Sequence, residues 1–119
     1  AGADMFHHNA DQAALGLFQA VKESKGAFIF GANADQSALA PDRTLGSAII
    51  DLPRAVLSVA KEVKTGGFTP HVESFGLKSG VIRFELNPAL AATLPAPLTQ
   101  RLTTARDSIV AADRSAATP

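Results

Sequence analysis

Two short polar runs of identical composition, Asn9-Ala10-Asp11-Gln12 and Asn33-Ala34-Asp35-Gln36, hold the side chains best suited to recognising a ligand. An amide both donates and accepts hydrogen bonds and a carboxylate accepts several, so this set suits the hydroxyl and amine groups of a polar solute. The likeness extends outward, since Phe6–Leu15 and Phe30–Leu39 agree at seven of ten positions. Each copy follows a stretch that reads as a strand. If those strands are parallel, both polar turns leave the same carboxyl edge of a sheet, where open α/β folds bind their ligands. The candidate ligand-binding residues are therefore His8, Asn9, Asp11, Asn33 and Asp35, joined by Phe6, whose ring beside the strand end could stack on an aromatic ligand.

A local explanation competes with this one. Asn can cap a helix, Asp suits the positive end of the helix dipole, and Gln three positions after Asn completes a capping box. Capping suits the first copy, which leads into a helical pattern. The second copy is followed by Leu39-Ala40-Pro41-Asp42, a poor helix, and there capping and ligand contact stay equally open for Asn33 and Asp35.

Other chemistries find less support. His7 and His8 are adjacent on a strand, so their rings point to opposite faces and do not share a metal ion. His71 stands alone in the sequence, and no zinc-ligand spacing surrounds it. Ser47, His71 and Asp51 are the residue types of a hydrolytic triad, but no Ser sits in a Gly-x-Ser-x-Gly elbow. Gly76 to Gly80 lacks the strand-to-helix setting of a phosphate loop and reads as a turn. Phe28 and Phe30 read as core. No catalytic residue, metal or cofactor is expected, and the chain reads as a binder rather than an enzyme.

These side chains need elements to carry them. Asp4 to His8 reads as a strand end. Ala14, Leu17, Phe18 and Val21 recur at helical spacing within Ala10 to Ser24, and Gly26 supplies the stop. Ala27 to Phe30 is a continuous apolar run, as in a strand of a parallel sheet buried on both faces. Ser37 to Arg43 is an irregular connection, and Leu45 to Ile50 a further strand. Asp51-Leu52-Pro53 is a strong helix start, with Val56, Val59, Ala60 and Val63 as the buried stripe and Gly66-Gly67 as the end. His71 to Leu77 and Val81 to Leu86 read as two extended segments, locally a β-hairpin around Lys78-Ser79-Gly80, with a crossing between lobes as the other option. Pro88 to Pro97 is a connection. Leu98, Leu102, Ala105, Ile109 and Ala112 mark a last amphipathic helix, and Arg114 to Pro119 should fray. The alternation implies an α/β class with a mostly parallel sheet and flanking helices.

Composition narrows the class further. A chain of 119 residues with 46% hydrophobic content suffices for one compact domain. Eleven basic residues balance eleven acidic ones, so no overall field favours nucleic acid or an anionic membrane. There is no cysteine, which removes disulfides and thiolate chemistry. No apolar run reaches the roughly 20 residues that span a bilayer. The opening Ala1-Gly2-Ala3-Asp4, without an initiator Met, suits a processed product or a piece of a longer precursor.

The stretch Gly31-Ala32-Asn33-Ala34-Asp35-Gln36-Ser37-Ala38-Leu39-Ala40-Pro41-Asp42-Arg43-Thr44-Leu45-Gly46-Ser47 resembles a signature of the basic membrane protein family, lipoprotein receptors of ABC importers that include the purine nucleoside receptor. The family pattern is approximately Gly-x-Asp-x-Asp-Gln, a Pro-Asp turn, then Leu-Thr-Ser and a helix. Ala3-Asp4, Glu62 to Phe68 and Phe75-Gly76-Leu77-Lys78-Ser79-Gly80 resemble further family segments in order, so the resemblance covers about residues 2 to 90. It implies part of a type I periplasmic-binding-protein-like fold, with two α/β lobes joined by crossing strands. Residues up to about Ser47 would lie in one lobe, Leu52 to Lys64 in the other, and the last strands and helix in the return crossing. The whole chain, 1–119, would be a single segment equivalent to the C-terminal third. The implied partners are a small-molecule solute and an ABC transporter permease, with no nucleic acid, and the implied location is periplasmic or cell-surface. A second copy of the chain, forming a homo-oligomer, could complete the missing lobe. Nucleoside receptors of the family use an acidic residue of this motif on ribose and a Lys after Leu-Thr-Ser. Here Asn33 stands at the first Asp position, Asp35 keeps the second, and Ile50 stands at the Lys position, so a nucleoside-like solute stays one option among polar solutes. The rival expectation is a self-associating structural module that has lost its ligand.

Overall fold

The computed structural model describes residues 2–112; the expected fraying of Arg114 to Pro119 lies outside them. Among the described residues four strands and four helices follow one another: β1 (Met5–His7), α1 (Ala14–Glu23), β2 (Phe28–Asn33), β3 (Thr44–Ile50), α2 (Leu52–Thr65), β4 (Ile82–Leu86), α3 (Pro88–Ala91) and α4 (Ala96–Ala112). Single 3-10 turns occupy Asp11–Ala13, Ser37–Leu39 and Leu77–Ser79. The strands form one sheet in the order β1-β2-β3-β4. β1 and β2 pair in parallel with His7 opposite Phe30, and β2 and β3 pair in parallel with Gly31 opposite Ser47. Asn87 N–H donates to Leu45 O and Asp51 N–H to Val81 O, so the partner number falls as β3 advances and β4 runs antiparallel. The α/β class with a mostly parallel sheet is what the alternation required.

The chain divides into two compact units, one comprising Ala1–Ile49 and Phe84–Ala96 and the other Ile50–Arg83 and Pro97–Pro119. The first holds the core. Ala14, Phe18 and Val21 of α1, at the spacing the sequence predicts, pack with Ala27, Ile29 and Ala40, and Phe6, Leu17 and Leu39 cover the rim. Ile29, near the start of β2, is fully buried. β2 outruns the expected Ala27 to Phe30 because Gly31 and Ala32 continue the pairing with Ser47 and Ala48.

Gly31 is needed at that point. A Cβ there would press on Ser47 Oγ and stand 3.0 Å from Gln36 Cβ. At Gly46 a Cβ would meet Glu85 O at 2.6 Å and Phe84 Cζ at 2.7 Å, so β4 can approach β3 only with glycine in that place. Asn87, 3% exposed, secures the same edge: its amide donates to Pro41 O and Thr44 O, each at 2.7 Å, and its Oδ1 accepts from Ala89 N–H at 3.0 Å. A buried amide with its bonds filled in this way fixes the start of β3 and opens α3.

In the second unit, α2 starts as its sequence dictates. Asp51 Oδ1 accepts from Arg54 N–H at 3.0 Å, Pro53 sits in the first turn, and Gly66 at φ 73° ends the helix. Three expectations fail here. His71 to Leu77 forms no strand and no hairpin, because Pro70 offers no N–H and β4 has its partner in β3. The stripe of Val56, Val59, Ala60 and Val63 is not buried: Val56 is 69% exposed, and Ala55 is the buried residue of α2. In α4, likewise, Leu98 and Ile109 face outward and no residue is buried. Both helices have the spacing that seeks a partner surface, but within their unit little covers them. Pro88 to Pro97, expected as a plain connection, contains α3 and the start of α4.

Candidate functional site

The two Asn-Ala-Asp-Gln turns emerge at one edge, since β1 and β2 are adjacent and parallel and each turn follows its strand. Together they line a pocket of about 320 Å³ in the first unit, formed by His8, Asp11, Gln12, Leu15, Ala32, Asn33, Ala34 and Gln36. Among the described residues, Asp11 (φ 46°) and Asn33 (φ 70°) have left-handed backbones without being glycine, and both line this pocket. That conformation costs an L residue about 1–2 kcal/mol, and such strain collects where a site must hold a set shape.

Gln36 organises the site. Its Oε1 accepts from Ala32 N–H at 2.9 Å and from His8 Nε2 at 3.0 Å, and its own N–H donates to Ser47 Oγ at 3.1 Å. An amide oxygen only accepts, so His8 presents a proton on Nε2 to it. His8 is 6% exposed, its ring meets Phe18 edge-on at 5.6 Å, and Nδ1 has no partner among the described residues. An unpaired buried polar atom of this kind is uncommon in native proteins, and Thr44 Oγ1, outside the pocket, is another.

Asp35 does different work. Its carboxylate accepts from Ser37 N–H at 2.9 Å and faces Ser47 Oγ at 3.5 Å, an Asx turn that shapes the corner. The Ser37 hydroxyl, then the Ser37 N–H, and in smaller part the Ser47 hydroxyl hold this carboxyl below the usual carboxylate range against the opposing effect of burial.

Of the six residues the sequence singled out, His8, Asp11 and Asn33 meet in the pocket. Asn9 and Asp35 do not line it, and Phe6 packs on the core instead. The capping box does not form either. The residue before the first 3-10 turn is Ala10 and that before the second is Gln36, and neither turn has a side-chain cap. Residues the sequence reading passed over include Gln12, Leu15 and Gln36. The repeated Gln was the available signal, because a side chain recurring at a strand end serves the corner as well as a helix start.

The pocket wall carries one carboxylate, three side-chain amides, an imidazole and a leucine, and no Lys or Arg. It can offer hydrogen bonds to hydroxyl, amine or amide groups and an apolar contact, but it has no cation to hold an anion and no nucleophile poised against a base.

Residues 1–113 match the family model Bmp, described as ABC transporter substrate-binding protein PnrA-like. Basic membrane protein A2 of Borrelia garinii subsp. bavariensis is 35% identical over 92 residues, which cover 75% of this chain and 27% of that protein. Basic membrane protein A of Borreliella burgdorferi is 34% identical over 90 residues, 73% of this chain and 26% of that one. Among solved structures, a solute-binding protein of an ABC transporter system from Aeropyrum pernix K1 matches with TM-score 0.62 and 25% identity, over 95% of this chain and 33% of that chain. A transcriptional activator of the comK gene from Bacillus halodurans matches in fold with TM-score 0.78 and 21% identity, over 91% of this chain and 37% of that chain. The chain thus spans about a quarter of the length of the curated relatives it matches.

Proposed function

We propose that this chain, which belongs to the Bmp family of PnrA-like ABC transporter substrate-binding proteins, supplies one wall of a binding site for a small uncharged polar solute. The observation that carries the reading is the meeting of Asp11 and Asn33, both strained and both from equivalent turns, in a single pocket. Asn33, Asp11 and Gln12 would hold hydroxyl or amine groups, and Leu15 would lie against an apolar face of the solute. A nucleoside satisfies these demands, and so does a sugar. Asp35 belongs to the proposed site as the residue that shapes the second corner, and Asn9, beside His8 in the first turn, is proposed as a further contact to the solute. The solute would be delivered to an ABC permease on the outer side of the membrane, without covalent chemistry. Among the described residues no helix is long and apolar enough to cross a membrane.

Calorimetric titration of the natural gene product with a panel of nucleosides and sugars tests this reading. Asn33→Gly keeps the left-handed backbone while removing the amide, and Asp11→Asn removes the charge. Each should weaken a bound solute about tenfold, the worth of one or two hydrogen bonds, with thermal stability little changed. A solute whose affinity ignores both replacements would refute the site.

A second reading, self-association without a solute, draws on the apolar surface of Ala55, Val56, Val59, Ala60 and Phe75, a groove of about 410 Å³ in the second unit. Light scattering at several concentrations separates the two. A dimer that no nucleoside or sugar stabilises favours self-association.

A further inference from the structure

The structure brings three ligand-bearing side chains together far from the pocket. Carboxylate oxygens of Glu62 and Glu73 and a ring nitrogen of His71 all lie within 4.8 Å of one another. Glu62 belongs to the last turn of α2, whereas His71 and Glu73 belong to the irregular stretch that follows it. No short sequence motif could have announced this group, because α2 and its glycine end must fold first.

The histidine is aimed. Its Nδ1 donates to Thr69 O at 2.6 Å, and its Nε2 faces Glu73 Oε2 at 2.5 Å. A carbonyl and a carboxylate both only accept, so a neutral imidazole can satisfy one of them but not both. Either a proton, on the ring or on the carboxyl, or a metal ion must stand between Nε2 and Glu73. Anchoring one ring nitrogen on a backbone carbonyl while the other points at carboxylates is how protein zinc sites orient their histidines.

We propose that Glu62, His71 and Glu73 bind a single divalent transition-metal ion of the zinc type. Around a tetrahedral ion with bonds of about 2.0–2.2 Å, ligand atoms stand roughly 3.3 Å apart. The His71–Glu73 pair needs to open by less than an ångström, and Glu62 needs to close by about as much as one side-chain torsion provides. The His71 and Glu73 side chains are 24% and 29% exposed, so an ion can reach them, and the partial negative charge at the end of α2 favours it. Imidazole beside carboxylates selects zinc, nickel or cobalt over magnesium and calcium, which prefer oxygen alone. Three protein ligands leave a position open to water. The bound ion would tie the irregular stretch around His71 to the end of α2.

Titration of the metal-stripped full chain with zinc chloride, followed by calorimetry, tests the assignment. One ion should bind per chain at micromolar concentration, unaffected by millimolar magnesium. His71→Ala and Glu62→Gln should each weaken it at least tenfold, while His7→Ala, an exposed histidine outside the group, leaves it unchanged. Glu73→Gln checks the third ligand with minimal disturbance, and far-ultraviolet circular dichroism confirms that each variant is folded. Absence of stoichiometric heat up to millimolar zinc would overturn the proposal. So would binding that survives both His71→Ala and Glu62→Gln, or that disappears in His7→Ala.

Discussion

Gly31 concentrates the physical logic of the pocket in one residue. β2 must pass close enough to β3 for Ser47 Oγ to accept from Gln36 N–H, and a methyl at Gly31 would occupy the space where Ser47 and Gln36 stand. Gly31→Ala should therefore cost about 1–3 kcal/mol, the usual penalty for overpacking a tight contact, measured by urea unfolding. A cost below about 0.5 kcal/mol would mean that the two strands have room to part. At this scale the sequence was informative about residue type and less so about role. The repeated Asn-Ala-Asp-Gln pointed to the corner that carries this pocket, but it does not distinguish the Asp that lines the pocket (Asp11) from the Asp that builds the turn (Asp35). That division depends on Ser37 and Ser47, one of which arrives from a different strand.

Among the elements, α2 has the clearest local determinants. The Arg54 N–H on Asp51, with Arg83 2.9 Å from its other oxygen, holds the Asp51 carboxyl below its usual range. A carboxyl depressed on folding contributes stability above its unfolded value, near 3.8, and that contribution is lost as pH falls through the lower folded value. Acid unfolding followed by circular dichroism should accordingly show a helix-loss step below the ordinary carboxylate range. Asp51→Asn, which keeps a cap acceptor but cannot titrate, should remove that step. An unchanged acid profile would place the sensitivity elsewhere. The start and end of α2 could be read from Asp51, Pro53 and Gly66 because capping is local. The burial of its stripe could not, since periodicity states that a face seeks a partner and not whether these residues provide one. For the same reason His71 to Leu77 looked like half of a hairpin. Its residues allow extension, but pairing is decided by the free edge of β3, which β4 takes.

At the scale of the whole molecule, the chain is two compact units connected three times, with a core in the first and an exposed apolar helix face in the second. The strand and helix alternation sufficed for the α/β class and for parallel β1, β2 and β3. The antiparallel β4 needed the structure, because Gly46 opens the space for it and Asn87 secures its end. The central claim is that the two equivalent turns at the ends of β1 and β2 form the solute site. Amide chemical-shift mapping on the isotope-labelled protein, titrated with whichever nucleoside or sugar binds, tests it most directly. The largest shifts should fall on His8 to Leu15 and Ala32 to Gln36 together, at matching solute concentrations. Shifts centred on α2 or on the stretch after Gly67, with both turns unmoved, would contradict it.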